Sequence, residues 1–324
     1  MTHAIRFNNP GGPDVLVWED VKVGKPGPGE ARIRHTAVGL NFVDIYIRSG
    51  LYPTQLPSGL GGEAAGVVEE VGSGVTELKP GDRVAYGAAP IGAYAEARLI
   101  PADRLLKLPD RIDDRTAAAM MLKGLTTQYL IRQTYRVKAG DTILLHAAAG
   151  GVGLILSQWA KHLGATVIGT VGSDEKAKLA KAHGCAHTIV YTREDFVKRV
   201  AEITEGRKVP VVYDSVGKDT FLKSLDCLAP LGVAALFGQS SGGVEPLNLG
   251  LLAQKGSLYV TRPTLNTYAA KHENLVAMAK ELFDVVQSGA VKIEVHQTYP
   301  LKDAAKAHAD LAARKTTGST VLLV

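Results

Sequence analysis

Apolar residues in this chain follow two rhythms. From the N-terminus to about Pro109 they fall in short β-rich runs (Ala31–Val38, Gly66–Val71, Arg83–Tyr86, Tyr94–Pro101). Pro26-Gly-Pro-Gly29 and Lys79-Pro-Gly-Asp82 punctuate these runs, and the spacing predicts a compact all-β domain. From about Ala117 strand-length runs alternate with stretches of helical period. Strands are predicted at Thr142–His146, Thr166–Thr170, Thr188–Val190, Val209–Asp214, Val233–Phe237 and Ser257–Val260. Helices are predicted at Gly151–Leu163, Asp174–His183, Asp195–Glu205, Lys218–Leu228 and His272–Ser288. This alternation predicts an α/β fold, a doubly wound parallel sheet. The tail returns to strands at Lys292–His296 and Ser319–Leu323 around a helix Lys302–Arg314, and is expected to pack on the first domain. The expected division is 1–116, completed by 290–324, and 117–289.

Between the strand Thr142–His146 and the helix that follows lies Ala147-Ala-Ala-Gly-Gly-Val-Gly153. Strand, glycine turn and helix together aim backbone N–H groups at a pyrophosphate. Gly150 lets the main chain approach the phosphates, and Gly153 lets the helix pack closely. Ala148 stands where a G-x-G-x-x-G pattern has its first glycine, and Ala/Gly turns also serve as plain packing devices. The next strand decides the cofactor. An NAD site ends that strand in Asp or Glu for the ribose 2′-OH, whereas this chain has Val171-Gly172-Ser173 followed by Lys176. A small neutral turn with a cation one helical turn on attracts a 2′-phosphate, so NADP is favoured over NAD. Asp174 and Glu175 are read as acids that suit a helix N-terminus.

Length and composition narrow the class. A chain of 324 residues fits two domains, and 46% hydrophobic with 21% charged residues reads as a soluble globular protein. The net charge of +5 comes without a Lys/Arg block, so nucleic acid is disfavoured as a partner and an anionic cofactor suffices. Cys185 and Cys227 are the only cysteines, which points to a reducing compartment. No signal-peptide h-region opens the chain, so a cytoplasmic location is expected. The uncharged window Thr142–Ala160 nearly spans a bilayer in length, but its central glycines favour a buried strand–helix unit and no membrane.

These features, with Gly39-Leu-Asn-Phe-Val-Asp-Ile-Tyr46, Gly61-Gly-Glu-Ala-Ala-Gly66, Leu122-Lys-Gly-Leu-Thr-Thr127, Val212-Tyr-Asp-Ser-Val-Gly217, Phe237-Gly-Gln-Ser-Ser-Gly242 and Val260-Thr-Arg-Pro263, run the length of the chain. The chain resembles the medium-chain dehydrogenase/reductase superfamily, and within it the zinc-independent quinone oxidoreductases, the ζ-crystallin group. The resemblance implies a GroES-like first domain and a Rossmann domain. Zinc-dependent relatives carry a cysteine ligand at the place of Asn41 and a histidine at that of Gly62, and the four-cysteine lobe is missing. The nine histidines show no close pair at ligand spacing, and His35 and His146 are read as packing residues. No metal is expected.

The resemblance also implies the site. Asn41 and Tyr46 would flank the nicotinamide with Thr127 close by, and Tyr52 and Arg262 would line the substrate pocket, making these five the candidate catalytic residues. Asn41 carries both donor and acceptor groups for a carboxamide or a quinone oxygen, or is a turn-stabilising Asn. Arg262 can stabilise a developing quinone oxyanion, or is a surface ion-pair residue. Ala148, Gly150, Gly151, Val152 and Gly153 form the pyrophosphate turn, and Gly172, Ser173, Lys176 and Tyr191 match a 2′-phosphate pocket. Ser215, Val216 and Gly217 follow the fourth strand, Phe237, Gly238 and Ser240 the fifth, and Arg314 matches an arginine at which the tail reaches the cofactor. Asp44 and Glu63 are read as structural.

The expected function is NADPH-dependent reduction of a quinone bound between the domains, by a homodimer that extends its sheet across a twofold axis near Gly232–Gly238. Two other readings stay open: reduction of an enone or alkenal C=C bond, and an NADPH-binding structural or RNA-binding protein of the ζ-crystallin type. Against the last, aromatics make up only 6% and no basic stripe is present.

Overall fold

The computed structural model describes residues 2–88 and 90–324. The chain divides into two compact units. One comprises the chain up to Leu125 with Tyr268–Gln287 and Ile293–Val324; the other comprises Thr126–Thr267 with Ser288–Lys292.

The first unit opens with β1 (Thr2–Phe7), β2 (Val17–Val21), β3 (Glu30–Leu40), helix α1 (Phe42–Arg48) and β4 (Ser58–Gly59). It continues through β5 (Glu63–Val71), β6 (Arg83–Gly87), β7 (Ala97–Pro101) and β8 (Leu106–Lys107), and then α2 begins (Asp114–Tyr129). Ile5, Phe7, Ile33, Val38, Val68, Val84 and Ile100, from the inward sides of β1, β3, β5, β6 and β7, pack with Leu60 in its core. The expected β domain is present, with one short helix inside it. Asn41 and Asp44 form a capping box, and Ile45 and Tyr46 bury one face of a seven-residue helix. Such a helix is too short for the period to stand out from the strands around it.

The second unit carries β9 (Thr142–Leu145), α3 (Gly151–His162), β10 (Thr166–Val171), α4 (Asp174–Ala182), β11 (His187–Val190) and α5 (Phe196–Ile203). It continues with β12 (Val209–Asp214), α6 (Phe221–Ser224), β13 (Leu228–Leu236), α7 (Gly250–Gln254) and β14 (Tyr259–Thr261). Its parallel sheet has the order β11-β10-β9-β12-β13-β14. Chain order reverses between β9 and β12, and at such a point the carboxyl ends of the strands open a crevice. The predicted helix Lys218–Leu228 is a single α turn followed by a 3₁₀ turn, Leu225–Cys227. Gly217 at φ +87° and the Thr220 hydroxyl, which donates to Asp214 Oδ2 at 2.8 Å, hold the preceding residues in a loop.

The chain then forms α8 (Leu265–Tyr268) and α9 (His272–Gln287) and ends with β15 (Val295–Pro300), α10 (Ala304–Ala312) and β16 (Ser319–Leu323). β16 pairs antiparallel with β3 and parallel with β15, so the tail supplies two strands of the seven-stranded sheet β15-β16-β3-β5-β6-β8 with β7 on β3. Among the described residues no helix is long and apolar enough to cross a membrane.

Candidate active site and cofactor cradle

In the first unit Asn41 follows β3 and caps α1. Its backbone N–H donates to Asp44 Oδ2 at 2.9 Å, and its side-chain Nδ2 donates to Glu63 Oε2 at 2.7 Å. A carboxylate can only accept, so the amide orientation is fixed, and a second, weaker bond runs from Nδ2 to Gly39 O at 3.4 Å. The expectation that Asn41 offers both donor and acceptor to a ligand is therefore corrected: its donor side is committed to the protein. Glu63 is fully buried and also accepts from Lys123 Nζ at 2.6 Å and from the Leu122 N–H at 2.8 Å. Two glycines let α2 approach closely enough for these bonds. A Cβ on Gly39 would lie 2.2 Å from Ala118 O, and one on Gly87 would lie 2.4 Å from Leu122 N. Asp44 Oδ2 also accepts from the Tyr94 hydroxyl at 2.9 Å, while its Oδ1 has no partner. Burial raises this carboxyl to about 7. Tyr46 is buried and Tyr52 half-buried, their rings 5.1 Å apart at 58°.

In the second unit the remaining candidates, apart from Thr127 on α2, cluster on one edge of the parallel sheet, past the ends of β9 to β14. The turn Ala147–Gly153 is held by Ala148 N–H donating to Thr170 O at 3.0 Å and Gly150 N–H donating to Ala147 O at 2.9 Å. Its left-handed residue is Ala147, at φ +54°. A Cβ on Gly153 would lie 2.5 Å from Ala147 O, so this glycine lets the helix start close against its own turn. Helix α3 starts at Gly150 with no side-chain cap and no acid in its first turn, whereas α4 and α5 are capped by Ser173 and Asp195. An N-terminus left uncapped in this way suits an anionic pyrophosphate.

At the end of β10, Ser173 accepts from the Lys176 N–H at 3.3 Å. Asp174, the acid most at odds with a 2′-phosphate, is engaged by Arg193 through two bonds of 2.5 and 2.6 Å, which hold its carboxyl below the usual range. The space beside Gly172 is open, with the Tyr191 hydroxyl 3.8 Å from where a Cβ would stand. Past β12, Asp214 Oδ1 accepts from Val216 N–H (2.7 Å) and Gly217 N–H (3.0 Å), shaping the turn Ser215–Gly217. Past β13, a Cβ on Gly238 would meet Ser215 O at 2.7 Å, and Ser240 N–H donates to that oxygen at 3.1 Å. Phe237 N–H donates to Asp214 O at 2.8 Å, and exposed Arg262 donates from Nη1 to Leu236 O at 3.0 Å.

Arg314 lies in the first unit after α10, exposed and at φ +59°. Thr127 is fully buried in the second unit's share of α2. Sequence reasoning overlooked Lys123 and Arg193. A signal for the first was present, since Lys123 is the lone charge in Ala117–Leu125, and such a cation must find a buried partner. Arg193 had none, because its pairing with Asp174 joins the turn after β11 to the start of α4. Among the described residues no group of three or more His, Cys, Asp or Glu is placed to hold a metal ion.

The alcohol dehydrogenase GroES-like domain profile matches residues 27–110, and the zinc-binding dehydrogenase profile matches residues 151–281. Over its full length the chain is 59% identical to the quinone oxidoreductase of Pseudomonas aeruginosa, with all of both chains covered. It is 50% identical to a 2-haloacrylate reductase from a Burkholderia species, covering 100% of this chain and 99% of that one. The crystal structure of the Escherichia coli quinone oxidoreductase complexed with NADPH superposes with a TM-score of 0.98 at 51% identity, covering 100% of both chains. The chain belongs to the quinone oxidoreductase family of the medium-chain dehydrogenase/reductase superfamily.

Proposed function

We propose that the protein is an NADPH:quinone oxidoreductase. The full-length match to enzymes of that name, one of them solved with NADPH, carries the reading. Bound NADPH supplies a hydride, which together with one proton converts a quinone to a hydroquinone. The chain's part is binding, orientation and charge. The uncapped start of α3 and the turns past β12 and β13 hold the dinucleotide, and Gly172, Ser173, Lys176 and Tyr191 take the 2′-phosphate. Asn41, fixed by Glu63, and the Tyr46–Tyr52 pair orient the reacting groups. Thr127 and Arg314 belong to the cofactor set. Arg262, anchored on Leu236 O, lends positive charge to the quinone oxygen that gains electrons. The proton comes from solvent or from Tyr52.

Initial rates of NADPH oxidation over a panel of quinones test this reading. Turnover of several quinones, with NADPH preferred to NADH, is expected. The Burkholderia relative supports a second reading, reduction of an activated C=C bond. Turnover of 2-haloacrylates or alkenals without quinone turnover would replace the first reading with the second. We further propose a cytoplasmic homodimer. β14 is the edge strand of the parallel sheet, with Tyr259 and Val260 exposed by 59% and 38%, an edge that strand pairing would cover. Light scattering giving a monomer mass at micromolar concentration would remove the dimer.

A further inference from the structure

His146 stands directly after β9 and before the pyrophosphate turn, 1% exposed. Both of its ring nitrogens are engaged. Nδ1 lies 2.8 Å from the hydroxyl of Thr170 on β10, and Nε2 lies 2.8 Å from the hydroxyl of Ser224 on α6. The other groups within reach of the Ser224 hydroxyl are Thr220 O at 2.9 Å and Asp214 Oδ2 at 3.4 Å. Both can only accept; with the Ser224 hydrogen on Thr220 O, the nearer of the two, its oxygen accepts from His146 Nε2–H. Nδ1 then accepts from the Thr170 hydroxyl. Burial holds the ring neutral, as this arrangement requires, with Asp214 opposing that shift and the Phe196 ring meeting the imidazole edge-on at 5.0 Å.

In that arrangement the bonds run from Thr170 through His146 to Ser224, whose hydroxyl also lies 3.4 Å from Asp214 Oδ2. Three of the four members sit beside a turn assigned above to the cofactor. His146 precedes Ala147–Gly153, Thr170 precedes Val171-Gly172-Ser173, and Asp214 holds Val216 and Gly217 by their N–H groups. Thr170, Ser224 and Asp214 are at most 1% exposed, so no water competes for these bonds. Burial requires partners for the ring nitrogens of any histidine, and His35 and His308 also have both engaged; what sets His146 apart is where its partners lie. It ties the carboxyl ends of three adjacent strands, β10, β9 and β12, across the point where chain order reverses.

We propose that His146 is a positioning residue for the dinucleotide, setting the mutual register of the pyrophosphate turn, the 2′-phosphate turn and the Ser215–Gly217 turn. The proposal rests on the NADPH reading given above. Because His146 acts on backbone shared by either dinucleotide, its loss should weaken NADPH and NADH alike, unlike loss of a side chain that touches the 2′-phosphate.

The test is fluorescence titration of the full-length protein with NADPH and with NADH, beside thermal unfolding without ligand. His146→Phe keeps the ring and removes both bonds, and is expected to raise both dissociation constants about tenfold. The ratio of the two constants should stay within about twofold of wild type. His146→Gln keeps a donor and an acceptor and should recover most of the loss, while Thr170→Val should reproduce part of it. A purely structural residue would lower the unfolding temperature but leave affinities measured well below it unchanged, and that outcome overturns the proposal. If His146→Phe does not fold, Thr170→Val decides, since binding of both dinucleotides at wild-type affinity would also overturn it. Wild-type protein that binds neither dinucleotide would instead sink the NADPH reading on which the proposal rests.

Discussion

Glu63 in the first unit and Asp214 in the second are both carboxylates at 0–1% exposure, and the protein satisfies them by opposite means. Glu63 meets a cation, Lys123 Nζ at 2.6 Å, itself 5% exposed, and adds one backbone and one side-chain amide. Asp214 has dipoles only: two backbone N–H groups and the hydroxyls of Thr220 and Ser224. A buried ion pair is strong while whole and costly when halved, because the remaining charge has neither water nor partner. A carboxylate held by several neutral donors spreads its stabilisation over many bonds, none of them decisive. The first arrangement suits a place where one orientation of Asn41 must be held. The second suits strand ends that hold several turns at once.

The largest effect should come from halving the pair. Lys123→Met leaves the buried Glu63 without its cation, held only by the Asn41 amide and the Leu122 N–H, and is expected to destabilise the protein by about 3–5 kcal/mol, read by denaturant unfolding. Adding Glu63→Gln should recover part of that loss. A Lys123→Met protein as stable as wild type would mean that the pair does not hold this region together.

The second unit should respond to charge at the ligand rather than in the core. Lys176→Ala should weaken NADPH by roughly 1.5–3 kcal/mol, on the order of 10–100-fold, and leave NADH nearly unchanged. Equal weakening of both dinucleotides would end the 2′-phosphate assignment. Asp214→Asn keeps the shape and most donors, since the hydroxyls of Thr220 and Ser224 can turn to accept. A loss of only about 1–2 kcal/mol is expected, and a loss as large as that of Lys123→Met would erase the contrast between the two carboxylates.

Acid should expose the first unit's neutral groups. Burial lowers His35 to about 4 and His308 to about 3 from 6.5, and raises Asp44 to about 7 from 3.8. At about pH 5–6 the unfolded chain protonates both histidines, which the native state does not, while only the native state keeps the Asp44 proton. From these three groups the unfolded state binds about one proton more, a fall of roughly 1.4 kcal/mol per pH unit on acidification, to which His146, also held neutral by burial, adds in the same direction. Asp44→Asn removes the opposing group and should steepen that fall. A flat stability profile across this window would contradict the three assignments. The smallest expected effect is none: exhaustive chelation should leave quinone turnover unchanged, because an ammonium already answers the charge of Glu63. Activity lost to a chelator and restored by Zn²⁺ would overturn this.

Much was legible in the sequence where neighbours in the chain do the work. The parallel sheet, its strand-length apolar runs, the glycine turn and the neutral end of β10 all follow from local pattern, because period and turn chemistry act over a few residues. So did the α/β class and the family, since the motifs run along the whole chain. Local pattern also misled: α1 is too short to register, and the stretch before α6 is a loop because Thr220 turns to Asp214. Only the tertiary structure decided which buried polar groups meet. His146 reads as packing until Thr170 and Ser224, 24 and 78 residues away, close on its two nitrogens. Lys123 reads as an isolated cation until Glu63 arrives from 60 residues off. A buried charge or imidazole announces that it needs a partner, since leaving it alone costs several kcal/mol. Which partner it takes depends on strand order and on backbones that approach at Gly39 and Gly87, and those are properties of the fold.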